Sequence, residues 1–317
     1  MNRFMKLIII CFMIGIITVA TGILANIGHD SEASIQVLEL QVDGTPWAWL
    51  VHTSYDPQNH EGTYKPFVHL LDPESFNPIT KGAGGFDSHH RGMYIGWNEV
   101  YAEGSVYDFW HMNDGVSQRH IEWIPVDRYE EGTFKRQKIH WCDPDGTPLI
   151  EEIRTIGVRP GPDQIRLFDF TSELTSQAGL IKLRGDLHHA GMHVRLANEV
   201  FWTQWRTRYI FPEGVTRQFN ARVPDTWWVC CSAVVNGRRH YVLHMTHPDN
   251  QVDMPTYSAR QYARFGSFFE SDLEPEQPLV YRFRIALSMG PIDTETCERL
   301  YSDFKESIHL ERPSLVE

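Results

Sequence analysis

The dipeptide Asn236-Gly237 constrains this chain more than any other feature. It separates the run Trp227-Trp228-Val229-Cys230-Cys231-Ser232-Ala233-Val234-Val235 from Tyr241-Val242-Leu243-His244-Met245. Two β-rich runs joined by Asn-Gly make a hairpin, because both turn residues must take positive φ, and Asn and Gly do so at least cost. The same grammar recurs along the chain. Asp43-Gly44 joins an alternating run at 35–42 to an apolar one at 47–51, and Asp143-Pro144-Asp145-Gly146 separates 134–141 from 149–158. Arg159-Pro160-Gly161-Pro162-Asp163 then leads into the run at 165–174.

One stretch departs from this pattern. Over residues 294–309, Cys297, Leu300, Phe304 and Ile308 recur at three- and four-residue spacing behind Asp293 or Thr294 as a cap, which predicts an amphipathic helix packed on a sheet. The expected fold is therefore all-β: a single large antiparallel β-sandwich over residues 34–312 with one C-terminal helix. The two-sheet supersandwich of mutarotase-like proteins is the large form of that architecture. A chain of 317 residues can bury such a core, and no repeat, low-complexity tract or long linker divides it.

Residues 1–25 read as a targeting segment. Arg3 and Lys6 precede an uncharged apolar run of nineteen residues, Leu7 to Ala25, and polar residues follow to Glu32. Ala25 suits the residue before a cleavage site and Ile23 does not suit the position two earlier, so a signal peptide and an uncleaved anchor both stay open. Either predicts a periplasmic or extracellular protein, tied to a membrane only through that leader. The formal charge of −12 argues against nucleic acid and anionic lipid as partners. Four cysteines follow the leader, without CxxC or Cys/His spacing, and are expected to be buried free thiols; Cys230 and Cys231, as strand neighbours, face opposite sides.

Chemistry concentrates in three places. Asp87, His89, His90 and Arg91 lie in one loop flanked by Gly84, Gly85 and Gly92, followed by the strand-like 93–97 and by 106–110, with Asp108 among aromatics. A polar loop feeding aromatic strands suits a flat, polyhydroxylated ligand. His189 and His193 are four apart and share a face in a strand, with Arg195 beside them. His244, His247, Tyr257, Arg260 and Tyr262 form the third cluster, and His69 sits alone in an apolar run.

The segments Pro66-Phe67-Val68-His69, Asp87-Ser88-His89-His90-Arg91-Gly92, Asp108-Phe109-Trp110, His189-Ala190-Gly191-Met192-His193-Val194-Arg195 and His247-Pro248 together resemble the bacterial family labelled "methane oxygenase PmoA". The resemblance runs from about Pro66 to Pro291. The family often has Pro where Ser88 stands and usually Pro in place of Leu70; neither departure removes a reactive group. A membrane monooxygenase subunit needs several spanning helices of roughly twenty apolar residues, and this sequence offers one such run. The resemblance therefore implies a β-sandwich whose His and Arg clusters converge, in a setting of polysaccharide breakdown, rather than methane oxidation.

Three functional classes follow. The first is a carbohydrate-active enzyme, hydrolase or lyase, using His/Arg acid–base chemistry; its catalytic candidates are His90, His189, Arg91 and Asp108. Trp110, Arg195, His247, Tyr262, Arg260 and His69 are the substrate-binding candidates, with a carbohydrate or another polar small molecule as partner. The second is a non-catalytic glycan-binding module. The third is a metal-dependent oxidase holding a divalent cation on His89, His189 and His193.

Overall fold

The computed structural model describes residues 35–125, 133–250 and 253–307. Apolar alternation sorts these residues into three antiparallel sheets. The first has eight strands in the order β1 (Ile35–Val42), β2 (Thr45–Thr53), β3 (Phe67–Leu70), β4 (Met93–Trp97), β12 (Ala190–Arg195), β18 (Arg264–Phe268), β17 (Thr256–Arg260) and β14 (Arg222–Val223). The second, also of eight, runs β13 (Arg208–Ile210), β15 (Trp228–Val235), β16 (Arg238–Thr246), β20 (Leu279–Ser288), β10 (Arg166–Ser176), β9 (Pro148–Pro160), β8 (Thr133–Cys142) and β7 (Ser117–Ile124). A small sheet of β19 (Ser271–Leu273), β11 (Ile181–Arg184), β5 (Glu99–Ala102) and β6 (Ser105–Tyr107) completes the set.

The expected hairpins form. Asn236 and Gly237 take φ of 52° and 75° between β15 and β16, and Asp43 and Gly44 take 50° and 74° between β1 and β2. The large sheets pack face to face through Ile95, Trp97, Met192, Val194 and Phe265 on one side and Trp141, Phe168, Phe170, Tyr281 and Phe283 on the other. Burying such side chains stabilises by about 1.5–3 kcal/mol each, so this shared layer fixes which residues of each strand point inward.

The C-terminal helix is the longest helix among the described residues, Thr294–Lys305. Asp293 caps it by accepting the Thr296 N–H, and Cys297, Leu300 and Phe304 pack onto Trp228, Cys230, Leu243 and Met245 on the outer face of the second sheet. Cys231 lies in the inter-sheet core and Cys230 against the helix, so the two neighbours do face opposite ways; all four described cysteines are free and buried. Ile308, His309 and the leader, residues 1–25, lie outside the described residues. Among the described residues no helix is long and apolar enough to cross a membrane.

One expected strand is shorter than its sequence pattern. Residues 106–110 read as extended, but β6 ends at Tyr107. The Asp108 carboxylate accepts the N–H groups of Trp110 (3.0 Å) and His111 (2.8 Å), and this local turn displaces the ladder that the flanking aromatics favour.

Candidate functional site

Register decides what the first sheet shows on its outer side. Met93, Ile95, Met192, Val194, Phe265 and Ala259 point into the core, so their strand neighbours Tyr94, His193, Arg195, Arg264 and Arg260 point the other way. That face would be wet in a simple sandwich. Here it is buried: Tyr94 and Arg195 are 0% exposed, His193 1% and Arg264 2%. The loops 82–92, 108–112 and 186–189 cover it and bring more histidines.

Each of these loops carries the same device, an aspartate three residues before a histidine. In 186–189 one Asp186 oxygen accepts the His188 N–H (2.8 Å) and the other lies 2.7 Å from His189 Nδ1. In 108–111 Asp108 closes the turn and its second oxygen lies 2.7 Å from His111 Nδ1. In 87–90 the pair is looser, at 3.6 Å between Asp87 and His90 Nδ1. A carboxylate on Nδ1 fixes the ring's orientation and leaves Nε2 as its free nitrogen.

The rings meet. His111 and His189 have centroids 4.6 Å apart, His89 lies 4.5 Å from His111 and 4.1 Å from His90, and His90 lies 5.6 Å from His193. Trp110 closes the group at 4.5 Å from His193 and 5.9 Å from His189. Below them, Lys65 donates to the Trp110 carbonyl (2.7 Å) and sits 3.5 Å from the Tyr94 ring centre. His111 and His189 keep about a quarter of their side chains exposed, whereas His90 and His193 are buried.

Electrostatics follow from burial next to cations. Desolvation, then the charges of Lys65, His111, His189 and Arg264, lowers the His89 pKa to about 2. Burial and Arg264 push His90 and His193 well below the ordinary histidine value. Burial also lowers His189, although Asp186 works in the opposite direction. Desolvation acts against the Asp108 and Asp186 carboxylates, yet their hydrogen bonds outweigh it and both pKa values fall. These imidazoles with lowered pKa values are therefore neutral at pH 7; His89, His90 and His193, the most strongly lowered, resist taking up a proton, and His189, which Asp186 supports, is the better base of the group.

Several of the polar atoms here have no hydrogen-bond partner among the described residues. They include both ring nitrogens of His90 and His193, Nε2 of His89, Nε1 of Trp110, Nε and Nη2 of Arg195 and Nε of Arg264. Buried polar atoms nearly always have a partner in protein or solvent, so this face offers a polar ligand many groups to bond.

The structure brings together His89, His90, His189, His193, Trp110 and, at the edge, Tyr262, whose ring lies 6.4 Å from His90 and 4.8 Å from the Arg195 guanidinium carbon. Asp108 is present as the partner of His111. Other candidates have different neighbours. Arg91 places its guanidinium 4.1 Å from the Tyr64 ring and donates to the carbonyls of Ser88 and Glu61, which makes it a clasp for the loop rather than a charge facing the rings. His69 is held by Thr80 (2.9 Å) and packs on Phe67. Arg260 donates to Asn220 (3.1 Å) at the rim. His247 is not part of the group: its ring packs 4.9 Å from Phe304 of the C-terminal helix, beyond the second sheet. His189 lies just before β12 rather than in it, so the strand spacing expected for His189 and His193 is replaced by a loop that still delivers both rings to Trp110. Among the described residues no three His, Cys, Asp or Glu side chains are arranged to hold a metal ion, and His189 Nδ1 of the expected triad is taken by Asp186.

Sequence reasoning missed His111, Arg264, Tyr94 and Lys65. The signal for His111 was in plain view: Asp-x-x-His occurs at 87–90, 108–111 and 186–189. Arg264 has no such mark, because only strand register sets it opposite Arg195.

The profile of a family of unknown function, DUF6807, matches residues 37–302. The chain belongs to that family. The match leaves the PmoA label as a resemblance of motifs. No curated protein sequence matches the chain. Among solved structures, a GalM/aldose epimerase homologue from C. elegans is similar with a TM-score of 0.41 and 7% identity, over 80% of this chain and 99% of that one. A putative kojibiose phosphorylase from human microbiome gives 0.31 and 9%, over 84% and 36%. A polysaccharide lyase gives 0.26 and 11%, over 71% and 33%. Likeness at this level says nothing of what this DUF6807 chain acts on.

Proposed function

We propose that the DUF6807 chain is an exported carbohydrate-active enzyme whose reaction is proton transfer at the histidine cluster. The observation that carries this reading is the pair His189–Asp186 and His111–Asp108: two imidazoles, each oriented through Nδ1 by a carboxylate, 4.6 Å apart and partly open to solvent. Histidine so oriented is the usual acid–base group near neutrality. The resemblance to a family of polysaccharide-degrading bacteria supports a sugar as substrate. So does the wall of unpartnered donors, which suits a ligand covered in hydroxyl groups.

Lyase chemistry fits the residues better than hydrolysis. Glycosidic hydrolysis ordinarily uses two carboxyl groups flanking the bond, and here Asp108 and Asp186 are both committed to histidines. In an elimination, His189 Nε2 accepts the proton from the carbon beside a carboxyl group. The bond from the neighbouring carbon to the leaving oxygen then breaks as a C=C bond forms, and His111, which enters the step as the imidazolium with a proton on each nitrogen, gives its Nε2 proton to that oxygen. Exchange with water through the exposed ring edges restores both.

The test is incubation of the purified protein with neutral and uronic-acid oligosaccharides, with and without chelator, read by mass spectrometry and ultraviolet absorbance. An unsaturated product of unchanged total mass supports elimination. Gain of one water per cleavage would replace it with hydrolysis, and absence of turnover on every glycan would overturn the reading. The leader predicts that cell fractionation finds the protein outside the inner membrane; a cytoplasmic pool with the leader intact would refute export.

A further inference from the structure

Three arginines stand side by side across three strands. Arg195 on β12 is directly opposite Arg264 on β18, and Arg264 is directly opposite Arg260 on β17. Like charges in opposed positions repel, and here the first two are 0% and 2% exposed, so water does little to screen them. Among the described residues none of the three is in an ion pair. Asp87 acts on Arg195 and Asp186 on Arg260 only through space. Nearby, Lys65 and Lys81 are also buried, and among the described residues neither has a carboxylate in an ion pair with it; they donate to the carbonyls of Trp110, Gly82 and Gly84.

Elsewhere the same chain handles a buried arginine differently. Arg154, 1% exposed, meets the fully buried Glu152 through two bonds of 2.8 Å. The three-arginine row has no such counterpart, and its guanidinium atoms are left over in a specific way. Arg195 spends Nη1 on the carbonyls of Leu196 and Tyr262, keeping Nε and Nη2; Arg264 spends Nη1 on the His188 carbonyl, keeping Nε; Arg260 spends Nη1 on Asn220, keeping Nε. Burying cations without counter-charge is costly, and a guanidinium edge matches a carboxylate in shape and charge.

We propose that this row is the subsite for an anionic group of the substrate, the carboxylate of a uronic-acid residue, held between Arg195 and Arg264 with Arg260 at the rim. The assignment rests on the reading of the histidine cluster as the active site and names its substrate class. A carboxylate neutralised there would acidify the adjacent C–H, whose proton His189 takes in the elimination proposed above.

The test uses an oligogalacturonide, the same oligosaccharide with its carboxyl groups reduced to neutral sugar, and inorganic sulfate. Binding is measured by calorimetry and by the shift in melting temperature, so it is independent of turnover. The oligogalacturonide is expected to bind at least tenfold more tightly than its reduced counterpart. Arg264→Gln should weaken it about ten- to hundredfold, the range for a charge-assisted hydrogen bond, while leaving the melting temperature of the free protein unchanged or higher. Arg260→Ala, at the rim, should weaken it less and cannot be dismissed as a core defect. Equal binding of charged and reduced oligosaccharides overturns the subsite, as does sulfate binding with no oligogalacturonide binding. A fall in free-protein melting temperature for Arg264→Gln with unchanged affinity shows the arginine to be structural and also overturns it. Binding without turnover would instead sink the catalytic reading and leave the subsite, whereas turnover of neutral sugars alone would do the reverse.

Discussion

Replacing Asp72 by Ala should destabilise the protein by about 2.5–5 kcal/mol at pH 7. Asp72 follows β3 of the first sheet, and its fully buried carboxylate accepts the N–H groups of Glu74 and Ser75 and a bond from His240 on β16 of the second sheet, each at 2.8 Å. It therefore pins the loop toward Thr80 and Lys81 and ties the two sheets together. Burial alone would raise its pKa; the two backbone N–H groups, then His240, more than reverse this, and the value drops from 3.8 to about 2. A shift of that size corresponds to about 2.4 kcal/mol at 1.36 kcal/mol per unit. Truncation also strands His240 in the interior, and breaking a buried pair costs about 3–5 kcal/mol, which sets the upper end. Because the folded pKa is depressed, this contribution is fully present above pH 3.8 and disappears as pH falls through 2. Urea unfolding of wild type, Asp72→Ala, His240→Ala and the double variant at pH 7 and pH 5 measures it. A difference below about 1 kcal/mol, or singles that add without coupling, would refute the argument.

Asp186→Asn and His189→Ala are expected to reduce turnover by about 10²–10⁴-fold, the usual scale of general acid–base catalysis, with little change in melting temperature; unfolding of either variant would make the dyad structural. Gly191→Ala should destabilise by several kcal/mol and abolish the site, because Gly191 has φ of 83° and an added Cβ would lie 2.1 Å from the Ser267 carbonyl oxygen; a melting temperature within 2 °C of wild type would contradict this. Burial holds His69 and His188 at about 4 and His244 at about 3. Their contribution is complete above pH 6.5 and is lost as pH falls toward those values, so stability should begin to decline below pH 6.5, earlier than the Asp72 effect; a flat unfolding free energy from pH 7 to 4.5 would be the contrary result.

Local signals in the sequence reached further than tertiary ones. The Asn236-Gly237 hairpin, the Asp43-Gly44 turn and the Asp293 cap are decided within a few residues, and the structure keeps all three. Asp108 shows where even local reading goes astray, since its side chain captures two N–H groups that the aromatic pattern assigns to a strand. Convergence of His89, His90, His189 and His193 was legible only through their chemistry and the motif resemblance, since nothing in the sequence places β4 beside β12. The placement of His247 was not: it follows β16, and nothing local reveals that β16 joins the other sheet, beside β20, with the helix at its back. Arg264 was invisible for the same reason, as its meaning depends on which residue faces it across β12 and β18.

The two outer faces of the sandwich explain why a site could form on one and not on the other. Both sheets already bury their inner faces against each other, so most of the apolar stabilisation is in place before either outer face is covered. The second sheet presents Trp228, Cys230, Leu243 and Met245 outward, and the C-terminal helix covers them with Cys297, Leu300 and Phe304. Apolar surfaces satisfied in this way leave nothing to react. The first sheet presents Tyr94, His193, Arg195 and Arg264, and what covers them is three loops whose aspartates orient histidines rather than neutralise the arginines. Such a face lowers stability, since unpartnered buried donors and opposed cations both cost free energy. The inner layer offsets that cost, and the same unpaired groups that weaken the free protein are those with most to gain from a ligand that supplies acceptors and negative charge.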